Sequence, residues 1–157
     1  MFRKACIVLI TLSSLAACDA TSNDTTSKIS SNILDISEYD VTLNNKPASY
    51  IKFGENDKNH CSLAVLKASA TKGYHLKIEG SSSLDIETDL TCMKENNIYT
   101  MSTTNNTFIS VDTIEATDSK VAYRLNSKLT SPQDQSFYEI KDMVLVITGE
   151  KHKTLIK

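Results

Sequence analysis

The sequence predicts a mainly β domain, an antiparallel β-sandwich or barrel. Apolar residues recur at every second position through most of the chain, while helical spacing is scarce. Clusters of turn-forming residues interrupt that alternation at the spacing of short antiparallel strands.

In order, Tyr39, Val41 and Leu43 alternate before the turn signal Asn44-Asn45-Lys46-Pro47. Ile51 and Phe53 belong to a second strand, closed by Gly54 and a polar run to Asn59. Cys61, Leu63 and Val65 alternate next, then Tyr74, Leu76 and Ile78. Beyond Gly80-Ser81-Ser82-Ser83 runs the longest ladder: Leu84, Ile86, Thr88, Leu90 and Cys92. Further strands are expected over 98–103, 107–114, 120–129, 136–147 (broken near Asp142) and 153–156, separated by polar turns. Residues 60–72 also suit a short helix, with Asn59 as N-cap and Gly73 just past its end. The strand reading is preferred there because the flanking segments alternate. The aromatic residues, from Tyr39 and Tyr50 to Phe137 and Tyr138, are expected to anchor the core.

The first 17 residues have a different character. Arg3 and Lys4 precede an apolar run from Ala5 to Leu15, the length of a secretory signal and too short to span a bilayer. The run ends in Leu15-Ala16-Ala17-Cys18, which resembles the lipobox of bacterial lipoproteins. That resemblance covers residues 1–18. It implies cleavage before Cys18, a diacylglycerol on its thiol, acylation such as palmitate on the new amino terminus, and attachment to a membrane in the cell envelope facing the periplasm. Asp19 resembles the retention signal of inner-membrane lipoproteins and Ala20 departs from it, so both membranes stay open. Residues 18–32 are polar and hydroxyl-rich and read as the lipidated Cys with a tether. Residues 33–157 then make one domain of about 125 residues.

The same resemblance sets the cysteine arithmetic. With Cys6 removed and Cys18 lipidated, Cys61 and Cys92 remain in a compartment that oxidises thiols, and a Cys61–Cys92 disulfide is expected. Loss of Arg3 and Lys4 leaves 15 of the 17 basic residues against 19 acidic ones, a net charge of −4, with Arg124 the sole arginine. That balance argues against nucleic-acid binding, which needs a concentrated basic face.

Candidate sites are few. His60, Cys61, His75 and Cys92 carry zinc-ligand chemistry, but no close Cys or His pair supports a metal, and none is assigned. No glycine-rich phosphate loop or nucleophile elbow occurs, so no cofactor or catalytic residue is assigned and the chain is not read as an enzyme. Asp85, Glu87 and Asp89 share one face of the long ladder and form the candidate partner-binding stripe. A hairpin of 74–79 with 85–90 is expected to set Ile78 across from Ile86, Lys77 opposite Glu87 and His75 opposite Asp89. His152, between two lysines, reads as exposed. The expected function is a lipid-anchored envelope protein that binds a protein partner, of the kind that neutralises a toxin or wall-degrading enzyme. A structural or assembly lipoprotein is the alternative.

The lipobox reading makes a direct prediction. Replacing Cys18 by Ser in the producing cell should abolish incorporation of labelled palmitate into the protein. Equal labelling of the two forms would rule out lipid at Cys18.

Overall fold

A computed structural model of the chain describes residues 31–38, 42–80 and 87–157. Cys18 with the signal and most of the tether, Tyr39, Val41, Asp85 and Ile86 lie outside these residues. The described residues form an antiparallel β-sandwich of two sheets, without closure into a barrel.

One sheet holds five strands in the order β1 (Ile33–Glu38), β2 (Ala48–Asn56), β3 (Asn59–Leu66), β5 (Thr88–Lys94), β6 (Asn97–Tyr99). The other holds β4 (His75–Glu79), β7 (Phe108–Thr117), β8 (Lys120–Thr130) and β9 (Phe137–Thr148), in that order. A single helix, α1 (Gly149–Ile156), follows β9. Strand register explains the core. Ile51, Leu63 and Leu90 stand opposite one another across β2, β3 and β5, as do Phe53, Cys61 and Cys92. Alternation then turns all six inward, and each is fully buried. Val111, Leu125, Leu145 and Ile147 line the facing sheet, with Tyr123 and Tyr138 buried among them. Each such side chain contributes about 1.5–3 kcal/mol by leaving water.

Three expectations hold locally. Residues 59–66 form a strand, with one 3-10 turn at Lys67–Ser69. Asn44 and Asn45 both adopt positive φ and close the bridge between Leu43 and Lys46 as a tight turn. The irregularity expected near Asp142 is a bulge within the continuous strand β9: the register with β8 shifts there, Asp142 has φ 48°, and its amide donates to Asn126 Oδ1 at 2.8 Å. Gly54 is required by close approach: an added Cβ would lie 2.4 Å from the Asn59 carbonyl oxygen.

Three expectations are corrected. The hairpin of 74–79 with 85–90 does not form. β4 pairs with β7 in one sheet, placing His75 opposite Asp112, Lys77 opposite Ser110 and Ile78 opposite Ile109. β5 pairs with β3 in the other sheet, placing Asp89 opposite Ala64. Alternation determines which face of a strand turns inward but not which strand lies beside it. Secondly, residues 149–156 form a helix, where a turn and a strand over 153–156 were expected. The helix sets His152 and Leu155 three residues apart on one face, so both are buried and His152 is not exposed. Lys151 and Lys153 remain outside. Finally, β1 lies in a segment where no strand was expected; it pairs with β2, buries Ile36 in the core and packs against α1.

Helix α1 covers one open side of the sandwich. Its principal neighbours are β1 and β9, the edge strands of the two sheets. Ser49 Oγ on β2 donates to the Leu155 carbonyl at 3.2 Å. Lys151 Nζ donates to the carbonyls of Ile33 and Leu34 at 2.6 and 3.3 Å, capping the free edge of β1.

Cys61 and Cys92 are directly opposed on β3 and β5 and are joined by a disulfide across a sequence separation of 31. In the chain-entropy account, closing such a loop stabilises by about 3–4 kcal/mol. A Cys61→Ala/Cys92→Ala double variant should therefore unfold at clearly lower urea concentration than the oxidised protein. Coincident unfolding curves would remove the disulfide from the stability of the fold.

Candidate partner-binding face

The two outer faces of the sandwich differ. On the four-stranded sheet, alternation turns His75, Lys77 and Glu79 outward on β4, with Ser110 and Asp112 on β7 and Arg124 and Lys128 on β8. His75 Nδ1 meets Asp112, Lys77 meets Glu79, and Lys120 meets Glu115 at 2.7 Å. Glu139 lies between Lys141 at 2.6 Å and Lys128 at 3.9 Å. Lys128 also lies 4.3 Å from the centre of the Phe137 ring. Such exposed pairs contribute about 0–1 kcal/mol each and describe a solvated surface.

The outer face of the five-stranded sheet is partly covered. Tyr50, Ala64 and Asp89 form a row across β2, β3 and β5. The Asn44–Asn45 turn brings Leu43 into a small cluster with Ala48, Ala64 and Leu66, all buried, against which Tyr50 is packed. The same turn carries Lys46, whose Nζ donates to Glu87 Oε1 at 2.9 Å. The cation beside Glu87 is therefore Lys46, and the cation expected there, Lys77, lies on the other sheet.

Asp89 is half-buried beside this cluster and has no cation paired to it among the described residues. Burial raises its carboxyl above the ordinary carboxylate range, and a backbone hydrogen bond at Leu90 offsets this only in part. Tyr74 lies near the same end: burial raises its phenol, the Glu87 charge adds to the rise, and Lys46 opposes it. The Tyr74 hydroxyl is buried and has no hydrogen-bond partner among the described residues.

Of the predicted stripe, Glu87 and Asp89 share this region, while Asp85 lies outside the described residues. The four residues with zinc-ligand chemistry do not converge. Both sulfurs are spent in the disulfide, and His75 faces out from the opposite sheet. No set of three or more His, Cys, Asp or Glu that could hold a metal occurs among the described residues. A buried polar network links Tyr123 Oη to Ser69 Oγ at 3.1 Å, and Thr113 Oγ1 to the Ser69 carbonyl at 2.6 Å. Burial pushes the Tyr123 phenol up to about 12, with the Ser69 hydrogen bond pulling the other way, so it stays neutral and structural. Sequence reasoning missed Tyr50, Lys46 and Tyr74 as neighbours of the acidic residues. Only the fold joins them, and no local pattern marks them.

No family model, curated protein or solved structure matches this chain.

The position of Asp89 has a measurable consequence. Its carboxyl holds a proton more firmly in the folded chain than in the unfolded one. Ionisation therefore opposes folding above the folded-state pKa, and that opposition fades as pH falls through it. Asp89→Asn should raise the melting temperature at pH 7, on the order of 2 °C, and lose the advantage below about pH 4. A variant less stable than the parent at pH 7 would show that Asp89 supports the fold.

Proposed function

We propose that this protein is a bacterial lipoprotein of the cell envelope, held to a membrane through Cys18, whose sandwich binds a protein partner. The lipobox-like Leu15-Ala16-Ala17-Cys18 supports the anchor. The Cys61–Cys92 disulfide suits a domain folded where thiols are oxidised, which fits export.

The observation that carries the binding reading is Asp89. A carboxylate partly withdrawn from water without a cation works against stability. A lysine or arginine delivered by a partner would supply the missing charge, and a charge pair sheltered from water acts mainly on dissociation. Ala64 beside it, with Tyr50 one strand further on and the covered apolar cluster, supplies the firm surroundings that such a contact needs. The net charge of −4 in the mature chain draws basic proteins towards it and makes the encounter salt-sensitive. Toxins and wall-degrading enzymes with basic surfaces are partners of this chemistry.

The test is capture from the envelope and medium fractions of the producing organism by the immobilised full-length protein. We expect one dominant basic protein, held less well as salt rises. Asp89→Asn should hold it roughly tenfold more weakly or worse. Equal retention by parent and variant would remove Asp89 from the interface. Recovery of other membrane components in place of a basic protein would favour an assembly lipoprotein.

A further inference from the structure

Among the described residues, four large apolar side chains stay exposed: Ile98, Val144, Val146 and Ile156. Three of them lie on β9 and α1. The run Met143–Ile147 is apolar on both faces of its strand, with Leu145 and Ile147 in the core and Val144 and Val146 outside at 37 and 47% exposure. A strand apolar on both faces is normally covered on both. No protein covers the outer one among the described residues.

Cations accompany the valines. Arg124 on β8 stands between Val144 and Asp112, exposed, and its side chain makes no hydrogen bond or ion pair among the described residues. Lys151 lines a groove of about 370 Å³ with Val144, Val146, Ser31, Asn32 and Ile33. The residues at which the chain enters the fold, Ser31–Ile33, are thus part of the same surface.

We infer that the β1–β9–α1 side of the sandwich rests on the phospholipid bilayer, with Val144 and Val146 among the headgroups and Arg124 near the phosphates. This rests on the lipid anchor proposed above. Thirteen residue steps separate Cys18 from Ser31, so covalent geometry keeps Ser31 within roughly 45 Å of the lipid. The surface is too small to hold a free protein on a membrane. Next to the anchor, contact becomes an intramolecular event at high effective concentration, and a weak surface suffices. Asp89 lies three strands in from β1, about 14 Å across the sheet, so it stays open to a partner while this edge is on the lipid.

The chain has no tryptophan, so a single introduced one reports without background. Full-length Val146→Trp and Ile98→Trp proteins, purified from membranes, are placed in phosphatidylethanolamine/phosphatidylglycerol vesicles with lipids brominated near the headgroup. Ile98 is the control: it is 38% exposed and lies on β6, at the edge opposite β1. The expected result is a blue-shifted Trp at 146, quenched by bromine at least twofold more than Trp at 98. Arg124→Glu should reduce that difference. Equal quenching at both positions in vesicle-bound protein overturns the inference and leaves the anchor intact. A blue shift at 146 without bromine quenching, with cross-linked dimers, overturns it in favour of a second copy of the chain. A Cys18 peptide without lipid in mass spectrometry overturns the anchor first, and this inference with it.

Discussion

The junction of β3 with β5 is the constraint on which the rest of the sandwich depends. After Leu66 the chain leaves the five-stranded sheet, supplies β4 to the other sheet, and returns at Thr88. The ladder from Asn59–Lys94 to Val65–Thr88 must close over that excursion. Closing such a loop has an entropic cost before any contact forms. The disulfide at Cys61–Cys92 holds it shut from within the core. Without this junction there is no row of Tyr50, Ala64 and Asp89, and the β5–β6 pair is no longer joined to β1, β2 and β3.

That junction also decides how the two outer faces differ. Away from Val144 and Val146, the four-stranded sheet meets water with exposed ion pairs that add little to stability. The five-stranded sheet carries the Asn44–Asn45 turn, which covers Ala64 and Leu66 and leaves Asp89 at the margin of an apolar cluster. Burial of the central side chains holds the fold together. What stands out on that face is Asp89, a half-buried carboxylate whose proton affinity burial raises.

The sequence made the faces of the strands legible and left their neighbours hidden. Alternation assigned Cys61, Leu63, Val65, Leu90 and Cys92 to the core, and all are buried. It could not choose between β3 and β4 as the neighbour of β5, because either pairing buries the same residues. The terminal helix was illegible for another reason. Lys151-His152-Lys153 is locally polar, and the burial of His152 follows only from a helical turn that places it above Leu155. Asp89 was legible as an outward residue. Its half-burial was not, since that depends on which strand lies beside β5, and alternation does not say.

The edge formed by β1 and β9 would ordinarily be open to pairing with another strand. Two features make this edge unsuited to that use. Lys151 occupies the carbonyls of Ile33 and Leu34, so a strand added to β1 would have to displace it. The register shift at Asp142, whose amide donates to Asn126 Oδ1, is a bulge that makes the β9 edge irregular. Val144 and Val146 project from the sheet face, at right angles to the pairing direction. Their exposure therefore calls for a covering surface that lies flat against them, and the bilayer proposed above would meet that geometry where an added strand does not.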